Sequence, residues 1–382
     1  MITSINIENF KSIKSANVPI RPLTILMGLN SSGKSSFLQT LLLINQSSFY
    51  RGRINLRGSL IDVGKMRDIF YEFEKGESLM TLGITFKNIR GINSFLLKFK
   101  YISEEQILDA DQFFINKNKL KEEEFKNSYL NISYTEAISN RNTQYLEAER
   151  FGPKDIYDSS YDLVNQHRRI GKKGEYAVHY LTVHGNERVK NEKLYHPKAK
   201  SDTLLHQVDA WLGEISPGVK INPTEFPGSD KIILNYQYET NRHYTSLRKP
   251  KNVGFGISYT LPIIVAILAA PDNRLLIIEN PEAHIHPKGQ AKLGKLMALA
   301  GNNGLQLVIE THSDHIINGL RVAVKKGDIN RTNAVIHHFE RVDKEDEQYS
   351  EITPIYIDNN GSLSDYPKGF LDQWGDLVSQ LI

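Results

Sequence analysis

The stretch GLNSSGKSS, Gly28 to Ser36, decides how the rest of the chain is read. It matches G-x-x-x-x-G-K-[ST] at Gly28, Gly33, Lys34 and Ser35. With glycine at ~7% of residues, a chance match in a chain of this length is on the order of one in a hundred. The context lowers that further. PLTILMG, just before, is a short apolar strand closed by Gly28, and SSFLQTLLLINQ, just after, has helical spacing. A strand, a glycine turn and a helix start let backbone N–H groups turn inward around phosphates, and the helix N-terminus adds partial positive charge. In that arrangement Lys34 reaches the β- and γ-phosphates and the Ser35 hydroxyl ligates Mg²⁺. Asn30, Ser31 and Ser36 are read as nucleotide-binding members of the same loop.

A phosphate loop hydrolyses nothing unaided. The metal needs a carboxylate from a neighbouring strand, and water needs positioning. LLIIENPEAHIHP, Leu275 to Pro287, supplies a buried apolar strand that delivers Glu279 at its tip, placed to hold the metal shell. Asn280 follows where many nucleotide hydrolases carry a second acid. An amide can orient water but has no useful basicity, so Glu282 or His312 must supply what basicity there is. His312 ends a second strand, LQLVIETH, where an imidazole can sense or polarise the γ-phosphate. A third element, NVGFGISYTLPIIVAIL (Asn252 to Leu268), opens a buried helix with Gly254, Gly256 and Ser258, a pattern that is itself an anion cradle.

These segments resemble the ABC-type ATPases of the RecF, SMC and OLD group. INIENFKSI with GLNSSGKSS looks like their opening strand and Walker A, and NVGFGISYTLPIIVAIL like a degenerate ABC signature. IIENPEAHIHP looks like Walker B with the D-loop, and IETHSDHIINGLR like the switch-histidine segment. The match covers roughly residues 1–45 and 250–340 and says little about the middle. YLEAERFGP and the tail DYPKGFLDQWGDL look like a bacterial subgroup of these ATPases, many of them in anti-phage defence operons beside a nuclease or another effector. The resemblance implies an ATP- and Mg²⁺-dependent ATPase that closes as an ATP-sandwich homodimer. Gly254, Gly256 and Ser258 would contact the γ-phosphate held by the second subunit. It also implies an effector partner, such as a nuclease or toxin from the same operon. Tyr259 and Asn280 depart from the usual pattern, and Asn280 implies slow turnover.

The expected fold class is α/β, an ABC-ATPase head with its core split in sequence around a polar inserted lobe. The expected organisation is residues 1–100 for the N-terminal core, 101–250 for the insertion, 251–345 for the C-terminal core and 346–382 for a small C-terminal segment. The 382 residues are 40% hydrophobic and 24% charged with net charge +3, which suits a globular protein and is too weakly basic to argue for nucleic acid by itself. There is no cysteine, which removes disulfides and thiolate metal sites. The longest apolar run, Leu261 to Ala270, is about half of the ~20 residues a membrane span needs, and a cytoplasmic protein with no membrane partner is expected.

Other readings compete. His284, His286, His312 and Asp314 invite a dinuclear metallohydrolase, but Glu310 stands where such a cluster needs its first histidine. A nucleotide-gated scaffold with incidental turnover differs mainly at Asn280. A transporter ATPase fits poorly with the degenerate signature. A DNA-repair type ATPase would bind DNA or RNA directly and without sequence preference, through Arg168, Arg169, Lys172, Lys173, Arg188, Lys190, Lys193, Lys198 and Lys200; a solvated face is at least as good a reading of them.

Overall fold

The computed structural model describes residues 1–74, 78–88, 91–128, 142–367 and 379–380. Most of the tail segment DYPKGFLDQWGDL therefore lies outside the described residues. Along the chain run β1 (Ile2–Phe10), β2 (Ile13–Pro19), β3 (Leu23–Gly28), α1 (Lys34–Gln46), β4 (Arg53–Asn55), β5 (Leu79–Asn88), β6 (Gly91–Lys100), β7 (Ile107–Asp109), β8 (Gln112–Ile115) and β9 (Asn118–Leu120). They are followed by β10 (Thr143–Leu146), β11 (Ile156–Asp158), α2 (Ala177–His184), α3 (Leu204–Gly213), β12 (Val219–Glu225), β13 (Lys231–Tyr238), α4 (Phe255–Leu268), β14 (Leu275–Glu279) and α5 (Pro287–Asn302). The chain closes with β15 (Gln306–Glu310), α6 (Asp314–Lys326), β16 (Ala334–Asp343) and β17 (Gln348–Ile355). Among the described residues no helix is long and apolar enough to cross a membrane.

The chain divides into two compact units. The first gathers both ends of the sequence, Met1–Thr143 with Ala334–Ile357 and Leu363–Ile382. Its antiparallel sheet has the order β2-β1-β5-β6-β8-β9, so strands from the early part of the polar middle third complete it. β6 shows why it is half-solvated: Phe95, Leu97 and Phe99 are buried while Lys98 and Lys100 alternate outward. The rings of Phe86, Phe95, Phe113 and Phe125 pack edge-on or tilted at 5.2–5.6 Å under this sheet. Within the same unit β3 is different. Leu23 to Met27 are all buried, and the strand pairs in parallel with β16, with Gly28 opposite Phe339. β17 closes this side, antiparallel to β16.

The second unit spans Gln144–Asn333 with Asp358–Ser362. Here β14 and β15 run parallel in register, from Leu275 opposite Gln306 to Glu279 opposite Glu310, and their apolar residues are buried on both faces. A three-stranded sheet, β11-β13-β12, forms a separate layer. α4 is apolar almost all round and, beyond its exposed opening at Phe255, is largely buried from Ile257 to Leu268, including Pro262 inside the helix. α5 and α6 approach closely: a Cβ on Gly294 would lie 2.6 Å from the Ile316 carbonyl, and one on Gly319 would lie 2.3 Å from that of Ala291. α6 is capped at both ends, with the Ser313 hydroxyl accepting from the Ile316 N–H and Gly327 in the left-handed region at φ 75°. α5 starts at Pro287 and runs on through Gly301, which is buried inside the helix, to a cap at Asn303. Helical glycine carries only a propensity cost of about 1 kcal/mol, which burial offsets.

In the first unit His337 on β16 is fully buried and bonds through Nε2 to the Pro19 carbonyl. Burial pushes its pKa down to about 4 from the ordinary 6.5. The unfolded chain therefore takes up this proton first. The stability gained by keeping His337 neutral is complete above about pH 6.5 and is lost as pH falls toward 4, at most about 3 kcal/mol. Urea unfolding between pH 7 and 4.5 should show this loss, and His337→Asn should flatten the slope by a comparable amount.

Candidate functional site

The structure gathers the sequence-derived site residues into two groups, one in each unit. In the first unit β3 ends at Gly28, whose φ of +144° and close neighbour leave no alternative residue: a Cβ there would lie 2.2 Å from the Phe339 carbonyl oxygen. The loop then passes exposed Leu29 and Asn30, takes a left-handed turn at Ser31 (φ 62°) and reaches Gly33 (φ 102°) as the N-cap of α1. A Cβ on Gly33 would collide with the Ser350 hydroxyl at 2.1 Å. Ser350 in turn donates to Ser12, and Ser12 reaches Ser36 at 3.4 Å, so hydroxyls of β17, the β1–β2 turn and α1 back the loop.

Lys34 is only 4% exposed, and its Nζ donates to the carbonyls of Gly28 (2.9 Å) and Leu29 (2.8 Å). A buried ammonium folded onto the loop's own carbonyls is ready to exchange them for phosphate oxygens. Ser35 is exposed at the helix start, α1 has no acid in its first turn, and the buried Ser32 hydroxyl has no hydrogen-bond partner among the described residues. Glycines that admit no Cβ, an anion-ready helix start and a hydroxyl at the metal-ligand position fit a nucleotide phosphate chain with Mg²⁺.

In the second unit β14 delivers Glu279 half-buried at its tip. Glu279 Oε1 accepts from the Tyr145 hydroxyl at 2.7 Å and Oε2 from the Ala148 N–H at 3.3 Å. Asn280 turns the chain at φ 42° and donates its backbone N–H to the Glu310 carbonyl at 2.8 Å. Asparagine tolerates this left-handed conformation better than glutamate does, a local reason for the amide at this position. Glu282 accepts from the Thr311 hydroxyl (2.7 Å) and from the His312 N–H (2.8 Å). Asn280, Glu282 and His312 thus meet at the ends of β14 and β15. In this conformation both Glu282 oxygens are engaged, so the residue acts as a strut between the two strand tips.

The helix opening separates residues that the sequence groups together. Gly254 is the N-cap of α4, with nothing within 4 Å of a Cβ built there. Phe255 is 56% exposed. Gly256 packs on the chain after β14, where a Cβ would meet the His284 carbonyl at 2.4 Å. Ser258 lies one turn further in, is 4% exposed, and faces the buried Tyr236 phenol instead of joining Gly254 and Gly256 at the surface. His284 packs its ring against Tyr259 (4.6 Å) and Phe255 (6.0 Å), and His286 Nδ1 caps α5 by accepting from the Lys288 N–H. Among the described residues no three His, Asp or Glu side chains converge as a metal cage.

Sequence reasoning quoted YLEAERFGP without giving its residues a role. Tyr145 holds the Glu279 side chain, and Arg150 donates to the carbonyls of Glu279 and Asn280. Neither contact has a periodic or spacing signature, so only the folded chain reveals them. The basic stretch is interleaved with acids. Arg168 pairs with Glu187, Lys172 with Glu147, Lys173 with Glu147 and Glu149, Arg188 with Glu192 and Asp202, and Lys200 with Glu239. A phosphate track would have to compete with those carboxylates.

A family model described as "AAA domain, putative AbiEii toxin, Type IV TA system" matches residues 23–318, and a second, for a protein family of unknown function (DUF3696), matches residues 329–381. No curated protein matches the sequence. Two solved structures are similar in fold. An SMC head bound to the C-winged helix domain of ScpA has TM-score 0.53 at 12% identity over 93% of this chain and 98% of that one. An SMC head domain with an extended coiled coil, bound to the C-terminal domain of ScpA and derived from Pyrococcus furiosus, has TM-score 0.51 at 12% identity over 100% and 99%.

The two glycines at the opening of α4 should respond differently to alanine. Gly256→Ala should lower unfolding free energy by about 1–3 kcal/mol through overpacking against the His284 carbonyl. Gly254→Ala, at a favourable φ with open space, should change it by less than about 1 kcal/mol. Parallel denaturant titrations of both variants check this contrast.

Proposed function

This chain belongs to the AAA-domain family whose model it matches and has the fold of an ABC- or SMC-head-type ATPase, and on that premise we propose that it binds MgATP, hydrolyses it slowly and acts as a nucleotide switch on a partner protein. The observation that carries the reading is the phosphate loop, where a buried Lys34 ammonium sits on the Gly28 and Leu29 carbonyls at the start of α1. Gly28, Asn30, Ser31, Gly33, Lys34, Ser35 and Ser36 take the phosphates; Ser35 is the hydroxyl proposed as an Mg²⁺ ligand, and Glu279 the carboxylate proposed as one. When bound, the ion neutralises charge on the phosphates. Asn280 orients the attacking water, and Glu282 or His312 receives its proton. Thr311 and His312 already hold the Glu282 carboxylate at the strand tips and limit its freedom to turn toward water, which supports slow turnover.

The exposed opening of α4, Gly254 to Gly256, is the surface that a second copy engages in an ATP-closed homodimer. The open space around Gly254 supports this, because no contact within the chain requires a glycine there. The buried Ser258 contributes by supporting the helix. A toxin system in the family's description favours an effector protein as partner, in a defence setting, and the protein–protein complexes of the two SMC heads are an analogy for such docking. Direct binding of DNA or RNA is the weaker reading, given how many basic side chains already face acids.

Lys34→Ala should abolish nucleotide binding and with it all turnover. Equal ATP binding by wild type and variant in equilibrium dialysis would refute the ATPase reading. Wild-type turnover should lie well below the ~10 s⁻¹ median of enzymes. Asn280→Glu should raise turnover or leave it unharmed while costing about 1 kcal/mol of stability from the left-handed backbone. Steady-state phosphate release, read beside thermal melts, checks both effects.

A further inference from the structure

The short segment from Tyr145 to Arg150 grips the end of β14 through the Tyr145 and Arg150 side chains and the Ala148 backbone N–H. Tyr145 is 6% exposed on β10, a neighbour of β14 in the sheet, and its hydroxyl donates to Glu279 Oε1 at 2.7 Å. Two residues past the strand the Ala148 N–H reaches Glu279 Oε2. Arg150 is 2% exposed. Its Nη1 donates to the Glu279 and Glu147 carbonyls, its Nη2 to the Asn280 carbonyl, and its Nε to the Tyr259 carbonyl on α4. One planar guanidinium therefore joins three parts of the unit: its own segment, the turn that carries Glu279 and Asn280, and the helix that opens with Gly254.

We infer that Tyr145 and Arg150 are positioning residues for the metal carboxylate, Tyr145 orienting the Glu279 side chain and Arg150 fixing the turn beneath it. This rests on the reading of Glu279 as the Mg²⁺ carboxylate. A carboxylate that binds Mg²⁺ must present an oxygen in one direction, because Mg²⁺ demands near-ideal octahedral geometry. Partners that hold a ligand from behind set that direction and tune its charge.

The chemistry of Tyr145 suits the task. Its hydroxyl, on a ring buried beside β14, donates to a carboxylate that can only accept, so the bond has one direction. Arg150 suits it for a different reason. The Glu279 and Asn280 carbonyls sit where Asn280 turns out of the ladder at φ 42°, and each needs a donor once buried. A planar fork of N–H groups serves both and reaches the Glu147 and Tyr259 carbonyls as well, four acceptors that the three donors of a lysine ammonium could not all satisfy. Burial lowers the Arg150 pKa to about 10, which still leaves the guanidinium charged at neutral pH. It donates to the Glu147, Tyr259, Glu279 and Asn280 carbonyls, so the Glu279 carboxylate keeps its charge for the metal.

The test uses the full chain and reads metal binding apart from turnover. Mn²⁺, an oxygen-seeking stand-in for Mg²⁺, is titrated with electron paramagnetic resonance in the presence of a non-hydrolysable ATP analogue. Tyr145→Phe keeps the ring and removes only the hydroxyl. It should weaken Mn²⁺ affinity by about 10-fold, the low end for loss of a partner behind a metal ligand. The Mg²⁺ concentration for half-maximal turnover should rise by a similar factor, with analogue affinity in the absence of metal and thermal unfolding near wild type. Arg150→Lys should lower kcat at saturating Mg²⁺ with little change in KM for ATP. If Arg150→Lys does not fold, Tyr145→Phe decides alone. Wild-type Mn²⁺ affinity and Mg²⁺ dependence in Tyr145→Phe overturn the positioning role and leave the ATPase reading intact. A wild-type chain that binds the analogue independently of Lys34, or not at all, overturns both.

Discussion

Strands buried on both faces can carry polar chemistry only at their ends. β3, β14 and β15 each bury an apolar run, and each releases its first functional residue at the C-terminal tip: Gly28 before the phosphate loop, Glu279, and Glu310 before His312. In α/β proteins with parallel sheets, ligands gather outside the carboxyl ends of the strands for this reason. The rest of the architecture follows. Strands of this kind need helices over their faces, and within the second unit α4, apolar almost all round, lies against β14. The antiparallel sheet of the first unit, with one face in water, is under no such constraint, and its strands alternate.

The same device stabilises a buried cation in each unit. Lys34 rests on the Gly28 and Leu29 carbonyls, and Arg150 on those of Glu147, Tyr259, Glu279 and Asn280. A cation paired with the Glu279 carboxylate would neutralise the group proposed above to hold the metal, and pulling such a pair apart is costly. Carbonyl dipoles satisfy the donors without taking that charge. Lys34 can trade its carbonyls for phosphate oxygens, whereas Arg150 has nothing to trade and remains structural. The two cations differ in function because of what surrounds them.

Left-handed backbone occurs in the same places. Gly28, Ser31 and Gly33 in the loop, and Asn280 and His284 after β14, all adopt positive φ. Each such residue aims neighbouring groups in a direction that extended or helical backbone cannot reach. Asn280 is the informative one. The missing acid at that position looks like a lost catalytic group on sequence grounds, but the left-handed turn gives asparagine a conformational reason to be there.

The sequence by itself determined the elements and most of the candidate list. The glycine spacing around Lys34, the apolar runs ending at Glu279 and His312, and the caps of α6 are local patterns, and local patterns survive in one dimension. What only the tertiary structure decided depends on groups far apart in the chain. Ser258 reads as part of a surface motif with Gly254 and Gly256, yet one further helical turn carries it inward to Tyr236. Glu282 reads as a free acid, yet Thr311 and His312, about thirty residues on, occupy both its oxygens. Tyr145 and Arg150 carry no readable signal, because their role exists only once β10 lies beside β14, more than a hundred residues away in sequence. Spacing specifies which face of an element a residue occupies; hydrogen bonding across the fold specifies what that residue is free to do.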